Sequence, residues 1–166
     1  MALSIRAATP ADVPVIRTLI EGLADFERLR HECQATEALL QASLFGPRPY
    51  AEVLIAAWDG EVAGFALFFH NYSTFLARPG IYLEDLFVQP AFRGRGFGTA
   101  LLSRLAQLAV ARGCGRLEWS VLDWNVDAIR FYERLGARPQ SDWTVHRVSG
   151  EALDRLATMT GAADVT

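Results

Sequence analysis

A glycine-rich hexapeptide, Arg93-Gly94-Arg95-Gly96-Phe97-Gly98, lies between an apolar run at residues 81–88 and a run of helical periodicity at residues 99–112. A strand, a glycine loop and a helix in that order direct the unpaired N–H groups of the first helical turn towards an anion. Glycine lets the backbone approach a phosphate closely, and the two arginines add fixed positive charge. The hexapeptide therefore predicts a pyrophosphate-binding loop, with a glycine turn that only caps a helix as the alternative.

Two better-known phosphate loops do not fit this hexapeptide. A dinucleotide fingerprint needs a third glycine where the chain has Thr99. A Walker loop needs a lysine, and the chain contains none. The pattern that remains is Arg-x-x-Gly-x-Gly, which runs from Arg93 through Gly96 to Gly98.

Composition bounds the class of protein. With 166 residues, of which 51% are hydrophobic, the chain is long enough for one core, and we expect a single domain over residues 1–166 with a polar, disordered tail at residues 160–166. A net charge of -3 argues against a nucleic-acid partner. No signal pattern and no apolar run of roughly 20 residues is present, so we expect no membrane partner and a cytoplasmic location.

Cysteine and histidine residues are few and scattered. They give neither a disulfide framework nor the spacing of a metal site, so we expect no metal. The residues concerned are Cys33, Cys114, His31, His70 and His146.

Hydrophobic periodicity and breaker residues predict an α/β fold with a central mixed sheet flanked by helices. The predicted strands are residues 4–8, 53–58, 62–69, 81–88, 117–122 and 143–148. The predicted helices are residues 9–26, 36–46, 99–112, 127–135 and 151–156, and residues 71–80 are predicted as a loop. Because Asp59-Gly60-Glu61 separates the second and third strands, these two should form an antiparallel hairpin.

Three stretches together resemble the GCN5-related N-acetyltransferases: the glycine loop, the strand segment 83–88 before it, and a later block with Trp124-Asn125, Ala128 and residues 131–137. The resemblance is strongest to the spermidine/spermine and thialysine acetyltransferase group, and it spans nearly the whole chain. It implies the acyl-CoA N-acyltransferase fold and acetyl transfer from acetyl-CoA to a primary amine by direct attack.

The resemblance also implies which residues bind acetyl-CoA. The backbone from Gly94 to Thr99 would hold the pyrophosphate, the backbone at Phe87 and Val88 would meet the thioester, and Asn125 would bond the pantetheine amides, with helix capping as its alternative role. The full set is Leu86, Phe87, Val88, Arg93, Gly94, Arg95, Gly96, Phe97, Gly98, Thr99, Asn125 and Ala128.

Two residues are candidates for the movement of protons. An alkyl amine has a pKa of roughly 10, so a base must take its proton, and Glu84, a carboxylate in an otherwise apolar strand, is the candidate, through water. Tyr132, seven residues after Asn125 in the matched block, would protonate the leaving thiolate. The alternatives are structural: Glu84 bound to backbone or arginine near a strand end, and Tyr132 as a packing residue. A structural role is favoured for Asp85.

The substrate is expected to be a small cationic amine, either a diamine or polyamine or an amino acid similar to thialysine or lysine. Its candidate contacts are Phe26, Glu27, Glu84 and Asp142. Phe26 stands where the polyamine enzymes often have tyrosine, which puts polyamine specificity in question. The resemblance further implies a homodimer with exchanged contacts after Gly136. A protein or peptide N-acetyltransferase and a catalytically silent acyl-CoA-binding module are the alternative functions.

Overall fold

The computed structural model describes residues 2–159, which form two compact units divided in sequence after Ser120. The first unit contains β1 (Leu3–Ala7), α1 (Val13–Phe26), α2 (Glu37–Phe45), β2 (Glu52–Trp58), β3 (Glu61–Ser73), β4 (Arg78–Val88), α3 (Phe97–Ala111) and β5 (Leu117–Trp119). The second contains α4 (Val126–Arg134) and α5 (Gly150–Thr158). The α/β fold with a mixed sheet is confirmed, whereas a single domain over residues 1–166 stays a prediction.

The sheet has five strands in the order β1-β2-β3-β4-β5. The first four are antiparallel neighbours, and β5 runs parallel to β4. The β2–β3 hairpin is confirmed, and its turn residues Asp59 and Gly60 have φ angles of 49° and 88°. Two consecutive positive φ angles are what a two-residue hairpin turn requires.

The predicted loop at residues 71–80 is wrong for most of its length. Strand pairing between β3 and β4 continues through Tyr72↔Pro79 to Ser73↔Arg78. Proline lacks an N–H donor, but in β4 it stands near the strand start, where this loss is tolerated. The sequence reading stopped both strands at polar and breaker residues that the long hairpin in fact includes.

Both faces of the sheet are covered. The core on one face joins α1 and α2 to the strands through Val13, Ile16, Leu19, Leu40, Leu44, Val53, Ile55, Phe65 and Phe87. The intervening strand residues Leu54 and Ala66 are also buried, and α3 contacts the strands with its own buried residues. These are Phe97, Leu101, Leu102, Leu105 and Ala109. Burial on both faces accounts for the nearly continuous apolar sequence of β2.

An ion pair connects β1 to the start of α1. The Asp12 carboxylate accepts bonds from both terminal nitrogens of Arg6, at 2.7 and 2.8 Å, and from the Thr9 N–H at 2.7 Å. These bonds, chiefly the one from Arg6, lower the pKa of Asp12 to about 2. The carboxylate therefore stays charged and holds Arg6 and the Thr9 N–H at the turn that precedes α1.

The carboxyl-terminal part of the chain departs from prediction at two strands. The strand predicted at residues 117–122 is limited to Leu117–Trp119, and residues 143–148 form no strand in the described part of the chain. Alternating apolar residues gave the second prediction, but no described strand pairs with this segment. The tail predicted at residues 160–166 lies outside the described residues.

Candidate active site

The glycine loop has the geometry of an anion-binding turn. Gly94 and Gly96 have φ angles of 74° and 82°, in the region that favours glycine, and a methyl group added at either position would meet open space. Gly96 is the residue that caps α3, and the next residue, Phe97, is buried and anchors the helix start. The N–H groups of the first turn of α3 have no partner within the helix. An anion such as pyrophosphate therefore fits in front of this loop.

Arg93 makes its contacts with two other elements of the first unit. Its Nε–H donates to the carbonyl of Val88 at 3.0 Å. Its guanidinium lies over the ring of Phe26, 4.8 Å from the centroid, and near the ring of Phe87 at 5.6 Å. The side chain therefore joins the loop to the end of α1 and the end of β4.

Strand β4 loses its β5 neighbour halfway along. The parallel pairing starts at Ile81↔Leu117 and ends at Leu83↔Trp119, while β4 continues to Val88. At the same point β4 has a bulge, because Leu83 pairs with Phe68 and Asp85 with Leu67, which leaves Glu84 as the extra residue. A bulge bends and twists a strand, and β5 ends at Trp119, so the pairing of β4 with β5 stops just before the bulge. The backbone of β4 beyond the bulge therefore has no β5 pairing partner, and its contact with a thioester stays a prediction.

The bulge also changes which side chains face α1. Adjacent residues of β3 point to opposite faces, so Asp85, opposite Leu67, lies on the other face from Leu83, opposite Phe68. Asp85 and Phe87 then share the face of the α1 core. Simple alternation would have kept Leu83, Asp85 and Phe87 on one face.

Helix α1 approaches this part of β4 closely. A methyl group added at Gly22 would lie 3.0 Å from the ring of Phe87, which is tighter than ordinary contact. Glycine at this position thus brings the end of the helix, with Phe26 and Glu27, against β4.

Three carboxylates act on one another at this junction. Burial raises the pKa of Asp85 to about 6, with further contributions from the negative charges of Glu84 and Glu27. Burial and then the charge of Glu84 also raise the pKa of Glu27. A carboxyl group with a pKa near 6 can exchange a proton close to neutral pH.

Glu84 is exposed at the bulge, whereas Asp85 is half-buried and has the strongly raised pKa. Sequence reasoning gave Asp85 a structural role and missed its perturbed pKa. The only signal was the adjacent acidic pair in an apolar strand, which does not show which of the two is turned inward.

The second unit carries the remaining candidates. The side-chain oxygen of Asn125 accepts the Ala128 N–H at 3.3 Å, so its capping role is confirmed, whereas a bond to pantetheine stays a prediction. Tyr132 lies on α4 with its ring 5.4 Å from that of Phe131. Asp142 is exposed in a turn.

Residues 2–159 contain no group of three or more histidine, cysteine, aspartate or glutamate side chains suited to hold a metal ion. None of the helices in that range has the length and apolar character needed to cross a membrane.

Comparison with known proteins gives consistent matches. Residues 18–137 match the model of the Acetyltransferase (GNAT) family. An L-ornithine N5-acetyltransferase, NATA1, of Arabidopsis thaliana is 38% identical over 92% of this chain and 86% of its own. A thialysine N-epsilon-acetyltransferase of Mus musculus is 37% identical over 92% of this chain and 96% of its own.

Solved structures agree on the fold. An integron cassette protein from the mobile metagenome of V. cholerae superposes with a TM-score of 0.81 at 25% identity, over 96% of this chain and 99% of its own. An aminoglycoside acetyltransferase from an uncultured soil sample gives 0.73 at 26% identity, over 90% of this chain and 100% of its own. The family match includes the glycine loop, the three carboxylates and Tyr132 but not Asp142.

Proposed function

The chain belongs to the GNAT family of acetyltransferases, and from this premise we propose that it transfers the acetyl group of acetyl-CoA to a primary amine of a small cationic molecule by direct attack. The main support for a cationic substrate is the group of Glu27, Glu84 and Asp85. The charges of these residues act on one another at the end of α1 and the bulge of β4. Such a group favours a cation. The ornithine and thialysine relatives support an amino acid with a basic side chain, and a diamine or polyamine fits the same chemistry.

Acetyl-CoA, when bound, supplies an acetyl group activated as a thioester. The glycine loop and the first turn of α3, from Arg93 to Thr99, would hold its pyrophosphate through backbone N–H groups. The backbone of Leu86, Phe87 and Val88 lies where β4 has no β5 neighbour, and an N–H there would donate to the thioester carbonyl as negative charge develops. In the second unit, the amide of Asn125 and the backbone at Ala128 would bind the pantetheine arm.

Proton transfer is assigned to three side chains. The amine must lose a proton before it attacks, and Glu84 and Asp85 form the accepting pair. Glu84 takes the proton through water, and Asp85, whose pKa is raised to about 6, is the group that holds it. As the nitrogen–carbon bond forms and the carbon–sulfur bond breaks, Tyr132 gives its phenolic proton to the sulfur. A phenol with a pKa of about 10 still carries its proton at neutral pH and can donate it to a thiolate whose conjugate acid has a pKa near 8.5.

Recognition of the substrate's second charge is assigned to the acidic residues. Glu27 would bind a cationic group remote from the reacting nitrogen, and Phe26 would form an apolar wall beside it. Asp142 is a further candidate for the same cation. The absence of a tyrosine hydroxyl at Phe26 favours basic amino acids or short diamines over long polyamines.

We also propose a homodimer located in the cytoplasm. Support for the dimer comes from the segment at residues 143–148, which has the composition of a strand and carries the exposed side chains Trp143 (81%) and Val145 (83%). Exposed apolar residues in a strand-like sequence are typical of a segment that pairs with another chain.

Turnover of acetyl-CoA with a panel of amines tests the proposal. Release of free thiol would be followed with ornithine, lysine, thialysine, short diamines, spermidine, spermine and a histone-like peptide. We expect the highest kcat/KM among the small diamines and basic amino acids. High turnover of the peptide with slow turnover of every small amine would instead indicate a peptide acetyltransferase. Tight acetyl-CoA binding without turnover would indicate an acyl-CoA-binding module.

A further inference from the structure

The side chain of Arg93 makes contacts that a role in phosphate binding does not explain. Its Nε–H is bonded to the Val88 carbonyl, and its guanidinium covers the Phe26 ring and borders the Phe87 ring. These partners belong to the end of α1 and the end of β4, the two segments that carry the candidate amine site. Arg95, also in the loop, instead lies over the ring of Phe92 at 5.8 Å. The two loop arginines therefore have different surroundings.

The contacts of Arg93 restrict a side chain at the end of α1 and a backbone carbonyl at the end of β4. Phe26 is 41% exposed, and a guanidinium stacked on its face limits its rotamers and, through the chain, the direction of Glu27. The bond to Val88 acts at the part of β4 that has no β5 neighbour to fix its peptide planes. Planarity and a fixed N–H direction let arginine make both contacts at once, which lysine cannot do.

We propose that Arg93 is a positioning residue that aligns the amine-binding segment Phe26-Glu27 with the end of β4, where acetyl transfer takes place. The inference rests on the proposed function and deepens it, since it assigns to the first residue of the glycine loop a role in amine recognition. Arg93 then influences the reaction through Phe26 and Val88, without itself contacting the amine.

A double-mutant cycle between Arg93 and Phe26 tests this role. Arg93→Lys keeps the charge but loses the planar contact and the Nε–H, and Phe26→Leu keeps apolar bulk but loses the aromatic face. Each single variant should raise KM for the best small amine about tenfold, from the loss of a partly desolvated cation–π contact. In the Arg93→Lys background, Phe26→Leu should add less than about twofold, because the contact is already lost.

Two further measurements separate positioning from other roles. The same cycle applied to the acetyl-CoA dissociation constant should show no coupling beyond about twofold, since Phe26 is not part of the cofactor site. Arg95→Lys combined with Phe26→Leu is the matched control, and its effects on amine KM should multiply independently. Thermal unfolding of each variant identifies losses that arise only from reduced stability.

The proposal is overturned if wild-type protein acetylates small amines and the Arg93→Lys and Phe26→Leu effects on KM multiply independently. It is also overturned if coupling appears in acetyl-CoA affinity alone, because the contact between Arg93 and Phe26 would then serve the cofactor site and not the amine site. Absence of turnover by the wild type with every small amine would refute the proposed function itself and this role with it.

Discussion

Replacement of Asp85 by asparagine should make the protein more stable at pH 8 but not at pH 4. The pKa of Asp85 is 3.8 in an ordinary setting and about 6 in the folded protein, mainly because of burial. Asp85 thus holds its proton more tightly in the folded state than in the unfolded state. The free energy of unfolding therefore falls as pH rises from about 4 to 6, and it stays at the lower value above pH 6. At 1.36 kcal/mol per pH unit this decrease is about 3 kcal/mol. Asparagine carries no charge, so the Asp85→Asn variant does not lose this free energy at high pH.

Thermal unfolding of wild type and Asp85→Asn, measured at pH 4 and pH 8, checks this value. For a chain of this length, about 3 kcal/mol corresponds to a rise in Tm of roughly 6–12 °C at pH 8. Asp154→Asn, which removes an exposed carboxylate from α5, controls for the change in net charge. A Tm difference between wild type and Asp85→Asn that is equal at the two pH values would refute the assigned cause, because only a titrating group makes the difference depend on pH.

Three further substitutions test the assigned binding and catalytic roles. Gly96→Glu should weaken acetyl-CoA binding, measured by calorimetry, by several kcal/mol. The new side chain puts a negative charge where the phosphate is expected to bind, at a φ angle of 82° that favours glycine. Unchanged affinity in a folded variant would contradict the assignment of the loop. Tyr132→Phe should lower kcat about 100-fold or more with acetyl-CoA affinity unchanged, and a loss within twofold when chemistry limits the rate would mean that water or another group donates the proton. Glu27→Gln should raise KM about tenfold for a doubly charged amine and much less for a monoamine, and equal effects on the two would exclude Glu27 as the anchor of the second charge.

Much of the fold was predictable because local signals and tertiary structure agree. Three features have a direct physical signature in sequence: the turn from Thr9 to Asp12 that leads into α1, the turn at Asp59-Gly60, and the strand-loop-helix order around Gly96. The glycine loop is the clearest case, since its positive φ angles follow from the residues themselves. Its predicted role in phosphate binding rested on the same residues and on the family resemblance.

The arrangement of the acids was not predictable in the same way. Whether Glu84 or Asp85 turns inward depends on a bulge whose position is set by pairing with β3, and the residues of β4 alone do not specify that register. The contact of Arg93 with Phe26 joins residues that are far apart in the chain, so no local pattern could have indicated it. A prediction that assumes strict alternation of side chains along β4 does not allow for an inserted residue. It therefore assigns all residues on one side of the bulge to the wrong face of the sheet.

The adjacent acids can be separated by the dependence of kcat/KM on pH. Deprotonation of a primary amine with a pKa of roughly 10 gives a plot of log kcat/KM against pH a constant slope below pH 9. An additional slope below about pH 6 therefore reports the titration of an acid of the enzyme. We expect Asp85→Asn to abolish this additional slope. Glu84→Gln should keep the slope but move it to lower pH, because the charge of Glu84 contributes, after burial, to the raised pKa of Asp85. If Glu84→Gln abolishes the slope and Asp85→Asn leaves it in place, Glu84 alone is the acceptor, and the half-buried Asp85 serves only the structure.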